Sequence, residues 1–380
     1  MKNNKVVTVT HIHSNLNFIY GTSFFDGPLF NNKIIFIGDK NSYDGIYKDK
    51  ALFFKCGRSS VRKIIKLCSS SDLVVFYNLD TIKSVIANRL PQHIKLAWRF
   101  FGYELYDRRI EYYQSDLTKK YCELDLLEKT RRIIEKQAKG IKHLMIWHSL
   151  YKMEFFRAMK KIDFIIGLSK LEHEQLKSFW SELPNFVQSP FDLLENAPPI
   201  DISKKEDLIL LGNSMSPYNN HFDIVGIIEQ QFPMTDYKFI LPFSYAGKNK
   251  YSKILRNRIS NNPKFVLIEN FVSFNEYALL FSKVRAAVYN CYRQMGMGNI
   301  LLALNSGVKV YLNKRNVMLQ SLMDYGFLVF SIDEFKNDFK QNELQLSYAE
   351  AIHNRGVYEQ ILNNYNKNEF QKIIYDHTVN

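Results

Sequence analysis

Residues 208–214 read Leu208-Ile209-Leu210-Leu211-Gly212-Asn213-Ser214, and residues 219–225 read Asn219-Asn220-His221-Phe222-Asp223-Ile224-Val225. The first stretch is a short apolar run closed by glycine and small polar residues. The second opens a segment, 220–230, whose apolar residues recur at helical spacing. A buried strand, a tight turn and a helix in that order make one βα unit. The same unit recurs downstream. Strands are predicted at 239–241, 265–268, 286–289, 308–312 and 328–330, with helices at 251–260, 275–282, 299–305 and 318–325. Upstream, strands are predicted at 6–10, 34–38, 73–77, 94–98 and 164–168. Helices are predicted there at 59–67, 81–88, 116–139 and 170–180, with Ser115 or Asp116 capping the long one.

Strand–helix alternation implies parallel sheets covered on both faces, an α/β class. Pro184, Pro190, Pro198 and Pro199 break the pattern, so 183–201 reads as a linker. The expected division is 1–195, 196–350 and a helical tail, 351–380. Ligands in open α/β sheets bind beyond the carboxyl ends of the strands, so a cleft between the two domains is the expected site.

Composition bounds the function. A chain of 380 residues fits two domains, and 46% hydrophobic with 23% charged residues is a globular mixture. The net charge of +13 points to an anionic partner: nucleic acid, a phosphorylated ligand or a membrane surface. Of the 51 basic residues, 31 fall in 1–195, and the second half is near neutral. Cys56, Cys68, Cys122 and Cys291 form no CxxC pattern, so free thiols are expected and a zinc site is not. The first residues show no signal-peptide pattern, and no apolar run approaches the ~20 residues of a membrane span.

Five features could carry chemistry. Gly212-Asn213-Ser214 presents backbone N–H groups and small side chains before a helix N-terminus, which suits a phosphate or a hydroxylated ligand. An ordinary strand–loop–helix turn has the same spacing. Arg293-Gln294-Met295-Gly296-Met297-Gly298-Asn299 follows a strand and opens a helix. There, Gly296 and Gly298 would let a pyrophosphate approach the backbone, and Arg293 would add positive charge. It lacks the third glycine of the dinucleotide fingerprint. Trp98 to Arg109 places Glu104 and Asp107 among aromatics, a pattern that suits a sugar and a carboxylate base, or equally a paired surface loop. His11 and His13 share a face at the end of the first strand, where one could act as a base or serve structure. The segment 119–161 mixes basic with apolar and aromatic residues, as an anionic bilayer surface requires and as a solvated basic helix also shows. No Asp-x-Asp pair follows a strand, which disfavours a Mg²⁺-dependent transferase. No GxxxxGK[ST], GxSxG or HExxH motif is present.

In their order, Gly212-Asn213-Ser214, Asn219, His221, Leu241-Pro242, Tyr245 and Arg293-Gln294-x-Gly296-x-Gly298 resemble the bacterial 4-acetamido-4,6-dideoxygalactose (Fuc4NAc) transferases of enterobacterial common antigen synthesis. Trp98, Gly102-x-Glu104-Leu105-Tyr106 and a histidine at the end of the first strand, here His11, are similar too. The resemblance runs from about 6 to 335 and is strongest over 207–315. It implies a GT-B fold: two Rossmann-like parallel-sheet domains facing across a cleft. It implies a metal-independent, inverting transferase needing no cofactor, peripheral to the cytoplasmic face of the inner membrane. The donor would be a dTDP-sugar on Gly212, Asn213, Ser214, His221, Pro242, Tyr245, Arg293, Gln294, Gly296, Gly298 and Asn299. The acceptor would be a saccharide linked to undecaprenyl pyrophosphate, near His13, Gly102 and Tyr106, with His11 or Glu104 as the base. The chain departs from the family pattern at Glu104, Asn220 and Met295, where aspartate, glutamate and glutamine are usual. A different surface polysaccharide is therefore compatible with the residues. Rival readings are a nucleic-acid-binding protein, a GT-B protein without catalysis, and a retaining transferase on the same fold. The absence of any recognised nucleic-acid module argues against the first.

Overall fold

A computed structural model describes residues 5–42, 47–147, 151–191, 201, 204–245, 247, 249–270, 272–364 and 367–379. The strands form two wholly parallel sheets. The first joins β1 (Val7–His13), β2 (Phe30–Ile37), β3 (Ala51–Phe54), β4 (Leu73–Tyr77), β5 (Lys95–Arg99), β6 (Phe164–Gly167) and β7 (Asn185–Gln188) in the order β3-β2-β1-β4-β5-β6-β7. The second joins β8 (Glu206–Leu211), β9 (Lys238–Pro242), β10 (Phe265–Ile268), β11 (Val284–Tyr289), β12 (Lys309–Leu312) and β13 (Phe330–Ser331) in the order β10-β9-β8-β11-β12-β13. The strand order reverses between β1 and β4 in one sheet and between β8 and β11 in the other. Those are the switch points where doubly wound sheets open a crevice.

Two strands, β3 and β7, escape the sequence pattern. β7 lies inside the expected linker, 183–201, and pairs with β6. It is an edge strand, and Pro184 and Pro190 fall outside it, so neither proline removes a ladder bond. Pro198, Pro199 and the 195/196 boundary lie outside the described residues.

The chain divides into a first unit, Met1–Leu105 with Asp125–Phe191 and Asn366–Asn380, and a second, Tyr106–Leu124 with Asp192–Tyr365. Both units are therefore discontinuous in sequence, unlike the 1–195 and 196–350 expected. The single helix expected at 116–139 is two, Asp116–Cys122 and Leu126–Trp147, one in each unit. Ser115 caps the first by accepting from the Thr118 N–H at 3.1 Å, and Glu123 ends it in an extended conformation. Asp125 Oδ1 then accepts from the Glu128 N–H at 2.8 Å and starts the second. The Asp116–Cys122 helix stays with the second unit because Leu117 and Tyr121 join its core, where the Tyr121 ring stacks on Phe222 at 4.1 Å.

The expected tail is likewise shared. Tyr348–Asn364 packs in the second unit, and Lys367–Val379 in the first. There, buried Gln371 donates to the carbonyls of Phe24 and Asp26 at 2.9 and 3.0 Å. β4 is buried along its whole length, as are all of β6 and β12, the continuous apolar burial expected of strands covered on both faces.

Candidate functional site

In the second unit, two glycine turns meet at the carboxyl ends of β8 and β11. Gly212 leaves β8 at φ 69°, and its N–H donates to the Val288 carbonyl at 2.8 Å. A Cβ there would stand 2.8 Å from His221 Nε2 and 2.9 Å from Asn219 Cγ, so the turn admits no side chain. Gly296, also at φ 69°, caps the helix Met297–Asn305, and a Cβ on it would lie 2.9 Å from Asn213 Cγ. Asn213 therefore packs against the second turn, bringing the two predicted motifs together. Space is open beside Gly298. The first N–H groups of this helix have no intrahelical acceptor, and its dipole favours an anion.

Asn219 shapes the first turn: its Nδ2 donates to the Ser214 carbonyl at 2.9 Å, and its Oδ1 accepts from the Asn213 N–H at 3.4 Å. Asn220, at φ 48°, exchanges hydrogen bonds with Asn290 after β11, side-chain amide to carbonyl in each direction, at 3.0 and 3.2 Å. Its Oδ1 also accepts from the Ser115 N–H at 2.9 Å. This buried pair fixes the two loops against each other.

His221 is buried and neutral, its pKa pushed down to about 3 by burial. The Tyr251 hydroxyl accepts from the His221 N–H at 2.8 Å and lies 3.2 Å from Nδ1. A hydroxyl donating to Nδ1 leaves the ring proton on Nε2. Nε2, Asn213 Oδ1 and Arg293 Nε are buried without a hydrogen-bond partner among the described residues. Buried polar groups are rarely left so, and three around one pair of turns mark a place for a polar ligand. Arg293 is held between the rings of Tyr106 and Tyr218, at 4.8 and 4.3 Å, and the Tyr218 hydroxyl donates to Asp107 at 2.5 Å.

The other donor-site candidates lie at this end of the sheet with lesser parts. Pro242 ends β9, and the Tyr245 carbonyl accepts from the Met215 N–H at 3.2 Å while its side chain is exposed. The Gln294 carbonyl accepts from Arg293 at 3.2 Å. Asn299 donates its side-chain amide to the Tyr277 hydroxyl at 3.1 Å. Tyr106, expected beside the acceptor in the first domain, is placed in the second unit under Arg293.

In the first unit, Gly102, at φ 98°, begins the short helix Tyr103–Tyr106, which carries Glu104 back to β5. Glu104 Oε1 accepts from Trp98 Nε1 at 3.1 Å and from the Leu79 N–H at 3.3 Å. Burial pushes its pKa up to about 7, against the pull of these donors. A carboxyl poised there can take or give a proton at neutral pH.

His11 differs. Nε2 meets Asn32 Oδ1 at 2.9 Å, Nδ1 meets the Tyr77 hydroxyl at 3.2 Å, and burial lowers its pKa to about 4. With both nitrogens engaged, it has no lone pair turned to a substrate. His13 stacks on Tyr77 at 3.8 Å and pairs with the Thr22 hydroxyl at 3.0 Å, and burial holds its pKa well below the usual value.

Sequence reasoning passed over Lys83. It is fully buried and donates to Ser14 Oγ at 2.6 Å, to the Tyr77 carbonyl at 2.8 Å, to Asn78 Oδ1 and to Asp80 at 3.1 Å. It knits the ends of β1 and β4, the switch point of the first sheet. Asp80 as an N-cap before 81–88 was the one local signal; a lysine in a helix reads as exposed until its neighbours are known. Among the described residues, no three His, Cys, Asp or Glu side chains are grouped to hold a metal ion.

Residues 185–354 match the family described as 4-alpha-L-fucosyltransferase glycosyl transferase group 56. Nearly the whole chain superposes on solved structures at low identity. Sucrose-phosphate synthase from Thermosynechococcus elongatus gives a TM-score of 0.62 at 10% identity, covering 97% of this chain and 98% of that one. Anabaena HepE in complex with UDP and glucose gives 0.62 at 12%, covering 97% and 98%. The lipopolysaccharide outer core galactosyltransferase WaaB gives 0.60 at 11%, covering 97% and 99%. At these identities the structures establish the fold, which is GT-B; with the family match, the chain is a glycosyltransferase.

Proposed function

We propose that this glycosyltransferase moves a deoxy- or acetamido-deoxyhexose from a nucleoside diphosphate sugar, dTDP-Fuc4NAc or a close relative, to a saccharide carried on polyprenyl pyrophosphate. The setting would be surface polysaccharide synthesis at the cytoplasmic face of a bacterial inner membrane. No helix among the described residues is long and apolar enough to cross a membrane, and the proposed association is peripheral.

The observation that carries the reading is the meeting of Gly212, Asn213 and Gly296 with three unpartnered buried polar atoms at a sheet switch point. The diphosphate lies along the two turns. Its oxygens accept from backbone N–H groups at the Met297–Asn305 helix start and from His221 Nε2, and Arg293 offsets its charge. UDP bound to HepE, a protein of this fold, supports a nucleotide donor.

The acceptor hydroxyl attacks the anomeric carbon as the bond from that carbon to the phosphate oxygen breaks, inverting the configuration. The nucleoside diphosphate leaves with the bonding pair. Glu104, ionised at and above neutral pH, takes the hydroxyl proton; we assign it this part over His11, whose nitrogens are both occupied.

The test is a thermal-shift series with dTDP, UDP and GDP in the presence of EDTA, followed by turnover with the stabilising nucleotide's sugars. Stabilisation by dTDP and a product of inverted anomeric configuration by NMR are expected. No nucleotide binding under chelation overturns the donor site, and retained configuration overturns the mechanism.

A further inference from the structure

We infer that the helix Leu126–Trp147 is an interfacial helix that lies in the surface of an anionic bilayer with its apolar face inserted. It extends over 22 residues, and the one residue buried along it is His143. Seven large apolar side chains on it are exposed: Leu126 by 80%, Leu127 by 83%, Met145 by 71%, and Ile133, Ile134, Ile141 and Leu144 by 43–60%. At 3.6 residues per turn these seven fall within an arc of about 120°. A globular helix turns such a stripe inward, so an exposed stripe of this extent, interrupted within its arc only by Thr130 and Gln137, marks a contact surface.

The rest of the circumference selects the occupant. Lys129, Arg131, Arg132, Lys136, Lys139 and Lys142 all fall outside the apolar arc, against Glu128 and Glu135. A second protein surface of ordinary composition would match the stripe but not this surplus of cations beside it. An anionic leaflet matches both: acyl chains take the leucines and isoleucines, and the flanking lysine and arginine stems reach up to phosphate headgroups. The helix is tied to its unit at the far end, where Arg89 donates to the Trp147 carbonyl at 3.2 Å and lies over the Trp147 ring at 5.9 Å. The helix Tyr151–Lys161 then packs on Thr81–Arg89. Bilayer attachment is thereby transmitted to the unit that carries Glu104. This deepens the lipid-linked acceptor reading above and rests on it for the biological setting, though not for the lipid contact itself.

The experiment is flotation of the full chain with vesicles of phosphatidylethanolamine and phosphatidylglycerol, and with vesicles of phosphatidylcholine alone. Binding to the anionic vesicles is expected, weakening at least ~10-fold between low and high salt. Ile134→Glu with Ile141→Glu should weaken it by ~10-fold or more, and so should Lys136→Glu with Lys139→Glu. Leu279→Glu, at an exposed leucine of the second unit, should leave it unchanged. Circular dichroism and melting of each variant check that the fold is kept. Equal binding by the Ile134/Ile141 variant overturns the inference. So does an absence of vesicle binding together with a dimer in light scattering that this variant dissociates, because the stripe is then covered by a second copy. dTDP binding by the wild-type chain, measured in parallel, separates this from the donor reading: a wild-type chain that binds dTDP but neither kind of vesicle refutes only the helix assignment, and one that binds anionic vesicles but no dTDP refutes only the donor site.

Discussion

Replacing Glu104 with Gln should slow the enzyme and stabilise it at the same time. The side chain keeps its shape, and its amide oxygen can still accept from Trp98 Nε1 and the Leu79 N–H. The ionisation is lost. Burial raises the folded pKa from 4.5 to about 7, so between those values the native state binds more protons than the unfolded chain. Stability from this group is therefore full below about pH 4.5 and declines as pH rises toward 7. The decline amounts to about 3 kcal/mol by pH 8, from ~2.5 units at ~1.4 kcal/mol each. Glu104→Gln removes that penalty, so denaturant unfolding should show a variant more stable than wild type by about 3 kcal/mol at pH 8 and within about 1 kcal/mol of it at pH 5. Activity should move the other way. A base with pKa near 7 is about one-tenth ionised at pH 6 and nine-tenths at pH 8, so wild-type kcat/KM should rise about tenfold across that interval. The variant should lose this acid limb and fall ~10²–10⁴-fold in kcat, with dTDP binding unchanged. Full kcat with the acid limb intact places the base elsewhere. An unchanged pH dependence of stability shows that burial does not hold the carboxyl near neutrality.

Other perturbations follow from the same geometry. Gly296→Ala forces a side chain into a left-handed turn and against Asn213, so it should cost about 1–2 kcal/mol of stability and weaken dTDP binding by calorimetry; unchanged affinity removes Gly296 from the site. Tyr218→Ala opens one side of the clamp on Arg293 and should raise the dTDP dissociation constant about 3–10-fold, while Tyr218→Phe, which keeps the ring, should stay near wild type. Lys205 donates to the carbonyls of Phe281 and Ser306 and is pushed by burial to a pKa of about 7, so the unfolded chain binds more protons between about 7 and 10.5. Stability should thus climb by about 2 kcal/mol from pH 7 to 9, and Lys205→Met should abolish that slope in urea titrations.

The two parallel sheets were readable because apolar runs and turn residues are local signals. Gly212 and Gly296 were readable as close-approach turns for the same reason, and Ser115 as a cap. β3 and β7 were not; β7 lies between Pro184 and Pro190, which read as part of a linker. For the histidines, strand-end position left a base and a structural role open, and the burial and partners of His11 come from Asn32 and Tyr77, distant in sequence.

The amino-acid order settles which segments become strands and helices, and that both sheets are covered on both faces, because the period of apolar residues acts over a few neighbours. Only the folded chain shows that 106–124 completes the second unit, that Tyr106 and Tyr218 grip Arg293, and that Glu104 is poised near neutrality. Desolvation and ring packing are sums over neighbours that meet through long loops, and no local pattern names those neighbours.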